Sequence, residues 1–115
     1  TSLTGFVDKL STIPLRFDPG TNWCYSLATD VCGALVEIIS GQSLSEFLDE
    51  RIFEPLDMSD TSFTISDEKV PRFAANYERD QDKNLVLIDD PVESIYADGR
   101  RLQSGGGGLL STTAD

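Results

Sequence analysis

The residues best placed to do chemistry in this chain form one run, Pro19-Gly20-Thr21-Asn22-Trp23-Cys24-Tyr25-Ser26. Trp23 and Tyr25 are two apart, so in an extended segment both rings fall on one side of the backbone. A strongly apolar helical pattern starts immediately afterwards. Two readings follow from these residues alone. Either the rings pack together in a core, or Tyr25, fixed at a strand-to-helix junction, presents its hydroxyl to a cleft. A phenol titrates near pH ~10, so it serves as a base only where cations favour the phenolate. Arg16 is the one near cation in sequence, and a lysine has to come from elsewhere.

Other chemistries fail on composition or spacing. The chain has no histidine, so it completes no Ser-His-Asp triad and no His-rich metal site. Cys24 and Cys32 alone do not hold zinc, and their spacing makes a poor disulfide framework. Reduced thiols lean towards a cytoplasmic setting, with a periplasmic one left open. Asp80-x-Asp82-x-Asn84 opens like a calcium loop. Leu85 then stands where glycine is needed, and Pro91 where a bidentate glutamate belongs. Gly105-Gly106-Gly107-Gly108 lacks the lysine of a phosphate-binding loop and completes no dinucleotide fingerprint. Flexible or closely approached backbone is the better account of it. The pair Asp89-Asp90, before a proline, reads as solvated surface. No metal and no cofactor is implied.

With 20 acidic against 9 basic residues, the net charge of −11 argues against nucleic acid and anionic lipid as partners. The longest apolar run is far short of a bilayer span. Hydrophobic residues make up 39% of the 115, enough for a modest core.

These features sit on a short list of elements. Thr4 is expected to cap a helix carrying Phe6, Val7, Leu10 and Ile13, ending at Pro14. Ser26 is expected to cap the strongest helix, running to Ser40 and stopped by Gly41. Its apolar residues cover most of its circumference, which predicts burial. Ser43-Leu44-Ser45-Glu46 is a capping box for a helix with Leu44, Phe47, Leu48 and Ile52 inward, closed before Pro55. Residues 61–65 alternate like a short strand. Tyr77–Asp80 and Leu85–Ile88 read as a hairpin, and 89–104 as a long connection. Thr112-Thr113-Ala114-Asp115 is a second capping box, and the chain stops where its helix should begin. That pattern reads as an internal piece cut from something longer.

Four segments together resemble one family. Phe17-x-Pro19-Gly20-x-x-Trp23-x-Tyr25-Ser26 is similar to the second catalytic motif of class C β-lactamases, DD-peptidases and family VIII carboxylesterases. Glu54-Pro55-Leu56-Asp57-Met58-x-x-Thr61-x-Phe63 looks like a second signature, which usually reads P-L-G-M-x-x-T-x-F. Ala75-x-Tyr77-x-x-Asp80 looks like a third, and Ser104-Gly105-Gly106-Gly107-Gly108-Leu109-x-Ser111-Thr112-x-x-Asp115 like a fourth. They occur in the family's order and cover nearly the whole chain.

The resemblance implies an α+β piece of the β-lactamase/transpeptidase-like fold, mostly helical with a small hairpin, its main sheet absent. Residues 1–27 would lead into the catalytic tyrosine motif, 28–104 would form a helical subdomain, and 105–115 a glycine-rich return segment. Tyr25 would be the catalytic tyrosine, working with a lysine to pass a proton from a nucleophilic serine to the leaving group. Leu27 would face substrate where β-lactamases carry the asparagine of Y-x-N, which disfavours lactam hydrolysis and favours an ester. Gly105, Gly106, Gly107 and Gly108 would pass beside the substrate cleft, making room for an acyl group. The family's S-x-x-K lies upstream of the tyrosine, and its glycine-containing strand downstream. Ser66-Asp67-Glu68-Lys69 spells S-x-x-K in the wrong order, in a polar stretch, and reads as a surface loop.

The expected activity is ester hydrolysis through a serine acyl-enzyme, on a small ester or β-lactam-like substrate. The rest of the parent chain is required, so the 115 residues alone are expected to be inert. The alternatives are a β-lactamase or DD-peptidase, and a non-catalytic binding or scaffold module of the same fold.

Overall fold

The computed structural model describes residues 2–97, 99 and 101–115. Three helices come first: α1 (Leu3–Leu10), α2 (Ala28–Ser40) and α3 (Leu44–Leu48). A hairpin follows, β1 (Asn76–Arg79) paired antiparallel with β2 (Leu85–Asp89). This α+β arrangement is the expected one. The stretch expected as a long connection, 89–104, begins on Asp89, the last residue of β2, and carries no regular element after it among the described residues, positions 98 and 100 lying outside them.

Local chemistry explains most boundaries, and some differ from expectation. Ser2, not Thr4, caps α1, its hydroxyl accepting from the Gly5 N–H at 3.1 Å. The helix ends at Leu10 rather than Pro14. Ser11 and Thr12 turn their hydroxyls back onto the Asp8 and Lys9 carbonyls, each at 2.8 Å, and satisfy the last turn. Leu27, not Ser26, holds the cap position of α2, while the Ser26 hydroxyl accepts from the Ala28 N–H at 3.1 Å. Gly41 stops α2 in the left-handed region at φ 72°. The Ser43–Glu46 capping box forms in full. Its Glu46 carboxyl is held below the usual range by the Ser43 hydroxyl and backbone N–H.

After Leu48 the helix widens into a π-helical turn, Asp49–Phe53, whose bonds reach five residues back (Glu54 N–H to Asp49 O, 2.9 Å). The wider turn moves the inward position on by one residue. Phe53 is buried and Ile52, expected inward, is 39% exposed.

The core is small: Leu3, Ala34, Leu44 and Phe63, with Val7, Val36, Leu48 and Leu102 packed against it. Residues 61–65 form one bridge, Ser62 to Leu110, rather than a strand, yet the expected alternation holds, with Thr61, Phe63 and Ile65 buried. The expected burial of α2 does not hold. Its neighbours α1 and α3, with the segment 104–106, cover one side, where Asp30, Gly33 and Ala34 are buried, whereas Leu35, Ile38 and Ile39 are largely exposed. No described element covers them. The slab measures 45 × 43 × 24 Å with a radius of gyration of 16.9 Å. A compact domain of this length has about 13 Å. No single helix among the described residues is long and apolar enough to cross a membrane.

Two of the segments that carried the resemblance are stitched together. The Thr61 hydroxyl donates to Asp115 Oδ2 at 2.9 Å and accepts from Ser111 at 2.8 Å, while the Asp60 N–H donates to the same Asp115 oxygen at 2.8 Å. Beside them Asp60 takes ion pairs from Arg72 and Lys69, which hold its carboxyl below the usual range. A depressed folded pKa means that the unfolded chain binds the extra proton. This contribution is therefore complete above the ordinary carboxylate pKa of about 4 and lost as pH falls below it. Asp60→Asn should accordingly flatten the acid limb of a stability–pH curve below about pH 4. Limbs of equal slope would show that the pairs contribute nothing.

Asp57 occupies the glycine position of its signature and sits at φ 58°, in the left-handed region. Side chains are costly there, aspartate less than most. Asp57→Gly is expected to raise stability by up to about 1 kcal/mol in thermal unfolding. A loss would mean that the carboxylate makes a compensating interaction.

Candidate active site

The chain from Pro14 to Leu27 contains no helix or strand. It is shaped by a turn at Asp18–Thr21, where the Asp18 carbonyl accepts from both the Thr21 N–H (3.1 Å) and hydroxyl (2.7 Å). Gly20 sits there at φ 82°, a value side chains resist. The turn delivers Trp23 and Tyr25 to the start of α2, and both rings lie in the open, 86% and 87% exposed. They do not pack against the core of this segment. Arg16 approaches the Cys24 sulfur at 3.8 Å, so the nearest cation in sequence points at the thiol. Leu27, half exposed, ends the segment.

The glycine run lies across the first turns of the same helix. A Cβ on Gly105 would stand 2.2 Å from the Thr29 carbonyl oxygen, and one on Gly106 would stand 2.8 Å from the Thr29 hydroxyl. At Gly105 backbone lies against backbone, and at Gly106 it lies against the Thr29 and Asp30 side chains. Gly107 has open space around it, and Gly108 has a left-handed φ of 92°. One residue pins the run: the Ser104 hydroxyl donates to Asp30 Oδ1 at 2.5 Å and accepts from the Gly106 N–H at 3.0 Å. Asp30 is 6% exposed and sits in the first turn of α2. By its place in the sequence Asp30 is no more than an acidic residue in the first turn of a helix. Its partner is 74 positions away, and nothing local signals the pair.

The remaining candidates have structural accounts. Lys69 of the Ser66–Lys69 stretch donates to the Ser59 carbonyl and pairs with Asp60, so its amine is not held against the Ser66 hydroxyl. Asp80 accepts from the Asn84 N–H (2.8 Å) and side-chain amide (3.1 Å), closing the hairpin turn, and these bonds lower its pKa. Both cysteines are free. Among the described residues no three of His, Cys, Asp and Glu gather to hold a metal.

The geometry is part of a β-lactamase/transpeptidase-like fold. Residues 3–115 match the Beta-lactamase family, and the chain belongs to it. Esterase EstB of Burkholderia gladioli is 40% identical over 91 residues, covering 79% of this chain and 22% of that protein. Lovastatin esterase of Penicillium rubens is 44% identical over 57 residues, 50% of this chain and 14% of its own. The solved structure of EstCE1, described as a hydrolase with promiscuous acyltransferase activity, superposes with a TM-score of 0.83 at 26% identity, covering 99% of this chain and 33% of that one. Further relatives are acyltransferases. The chain thus spans a third or less of the proteins it matches.

Proposed function

We propose that this chain is the tyrosine-bearing segment of a serine hydrolase that cleaves small carboxylic esters through an acyl-enzyme. One observation carries the reading. Tyr25 stands exposed at the start of α2, and the pinned glycine run crosses the first turns of that helix. The esterases among the relatives support the choice of substrate class. Leu27, in place of the asparagine of lactam-hydrolysing relatives, supports an ester over a β-lactam.

The chemistry assigned is proton relay. A serine from outside the chain attacks the ester carbonyl, and Tyr25, its phenolate favoured by a lysine also from outside, accepts the serine proton. It returns that proton to the leaving alcohol as the carbonyl re-forms. Water then attacks the acyl-serine by the same route in reverse. Relay of this kind contributes roughly 10²–10⁴-fold. The glycine run borders the cleft, with Gly107 the position left open. The uncovered face of α2 and the extended slab support the need for the rest of the protein.

The test is pre-steady-state hydrolysis of p-nitrophenyl acetate by the complete protein. A burst of about one nitrophenol per active site, followed by slower turnover, is expected. A folded complete protein that turns over no ester would instead support a scaffold role. The 115 residues alone are expected to be inert. Turnover by them that Tyr25→Phe abolishes would overturn that expectation.

A further inference from the structure

An apolar cavity of about 260 Å³ lies between the glycine run, α2 and α3. Its walls include Cys32, Val36, Leu44, Leu48 and Phe63, and Gly105 and Gly107 stand on the glycine-run side. Leu44 and Phe63 belong to the buried core and give the cavity an apolar floor, while Cys32 stands exposed at its rim. On α2 it is lined by Thr29, Cys32, Gly33 and Val36, a strip about 100° wide at 100° per residue, and it borders the uncovered face at Ile39. Thr29 lies four residues beyond Tyr25, and even a fully extended chain separates those two Cα atoms by no more than about 14 Å.

We propose that this cavity seats the hydrocarbon chain of the acyl group, an assignment that rests on the acyl-enzyme reading above. In that reaction the alcohol must leave to water while the acyl group stays through the second step. A pocket with an apolar floor suits the part that stays. Its size sets the chain: a dry cavity of about 150 Å³ takes one benzene, so about 260 Å³ suits an acyl chain of six to eight carbons.

The experiment measures kcat/KM of the complete protein on p-nitrophenyl esters from acetate to dodecanoate. The rate is expected to rise about threefold to fourfold per methylene until the pocket is full, then level off. Cys32→Phe fills the cavity and should lower the octanoate-to-acetate ratio by about tenfold or more. In the wild type, peptide mapping of N-ethylmaleimide alkylation gives a second readout. Cys32 should be slowed severalfold by saturating octanoate and not by acetate, with Cys24 as internal reference. Ester turnover with no chain-length preference and no protection of Cys32 would overturn the pocket and leave the hydrolase reading standing. Protection of Cys32 in a protein that turns over no ester would keep the pocket and overturn the hydrolase reading. Neither turnover nor protection would sink both. A length preference that follows the alcohol rather than the acyl chain would also overturn the assignment.

Discussion

Tyr25→Phe in the complete protein is expected to lower kcat for ester hydrolysis by roughly 10²–10⁴-fold while leaving the fold intact. The change removes one oxygen from a ring that is 87% exposed in this segment, so no packing is lost within it. Steady-state kinetics beside a thermal melt separates the two effects. The relay serves both acyl transfer steps, so acylation and deacylation should slow together, and KM should move less than kcat. A Phe variant within about threefold of wild type would show that the proton travels by another route, because a positioned general base contributes far more than that.

The second large effect concerns stability. Gly105→Ala would place a Cβ 2.2 Å from the Thr29 carbonyl oxygen, against backbone that cannot turn away. Either the glycine run or the first turn of α2 must shift, with a loss of about 1–3 kcal/mol or more. Gly107→Ala is the control within the same run: its Cβ meets no atom within 4 Å, and its effect should stay within about 0.5 kcal/mol. Chemical unfolding of the two variants side by side tests this. Equal stabilities would mean that the run does not rest on α2 as described. The distinction bears on the proposed function, in which the run borders the substrate cleft.

Features with a local cause were legible in the sequence. The Ser43–Glu46 box, the glycine stop at Gly41, the hairpin and the alternation over 61–65 each depend on residues within a few positions of one another. What failed depends on neighbours. The apolar circumference of α2 predicts burial, but burial requires a covering element, and here only one side has one. The π-helical turn after Leu48 moved the inward position from Ile52 to Phe53, and periodicity at 3.6 residues cannot anticipate it. The Asp30–Ser104 pin and the Thr61–Asp115 bond span 74 and 54 positions, with no local signature.

Family resemblance marked Thr61, Ser111 and Asp115 without giving them a task, and the structure shows that they join two segments of the chain. For Tyr25 the residues alone left packing and chemistry open. Its exposure removes packing within this segment, and the catalytic assignment rests on the family motif together with that exposure.

The most direct measurement is fluorophosphonate labelling of the complete protein with peptide mapping, in wild type and Tyr25→Phe. The account predicts rapid labelling of one serine, in an S-x-x-K upstream of Thr1, and markedly slower labelling of that serine in the variant. Folded protein that takes no label, or that labels equally fast without the Tyr25 hydroxyl, would contradict it.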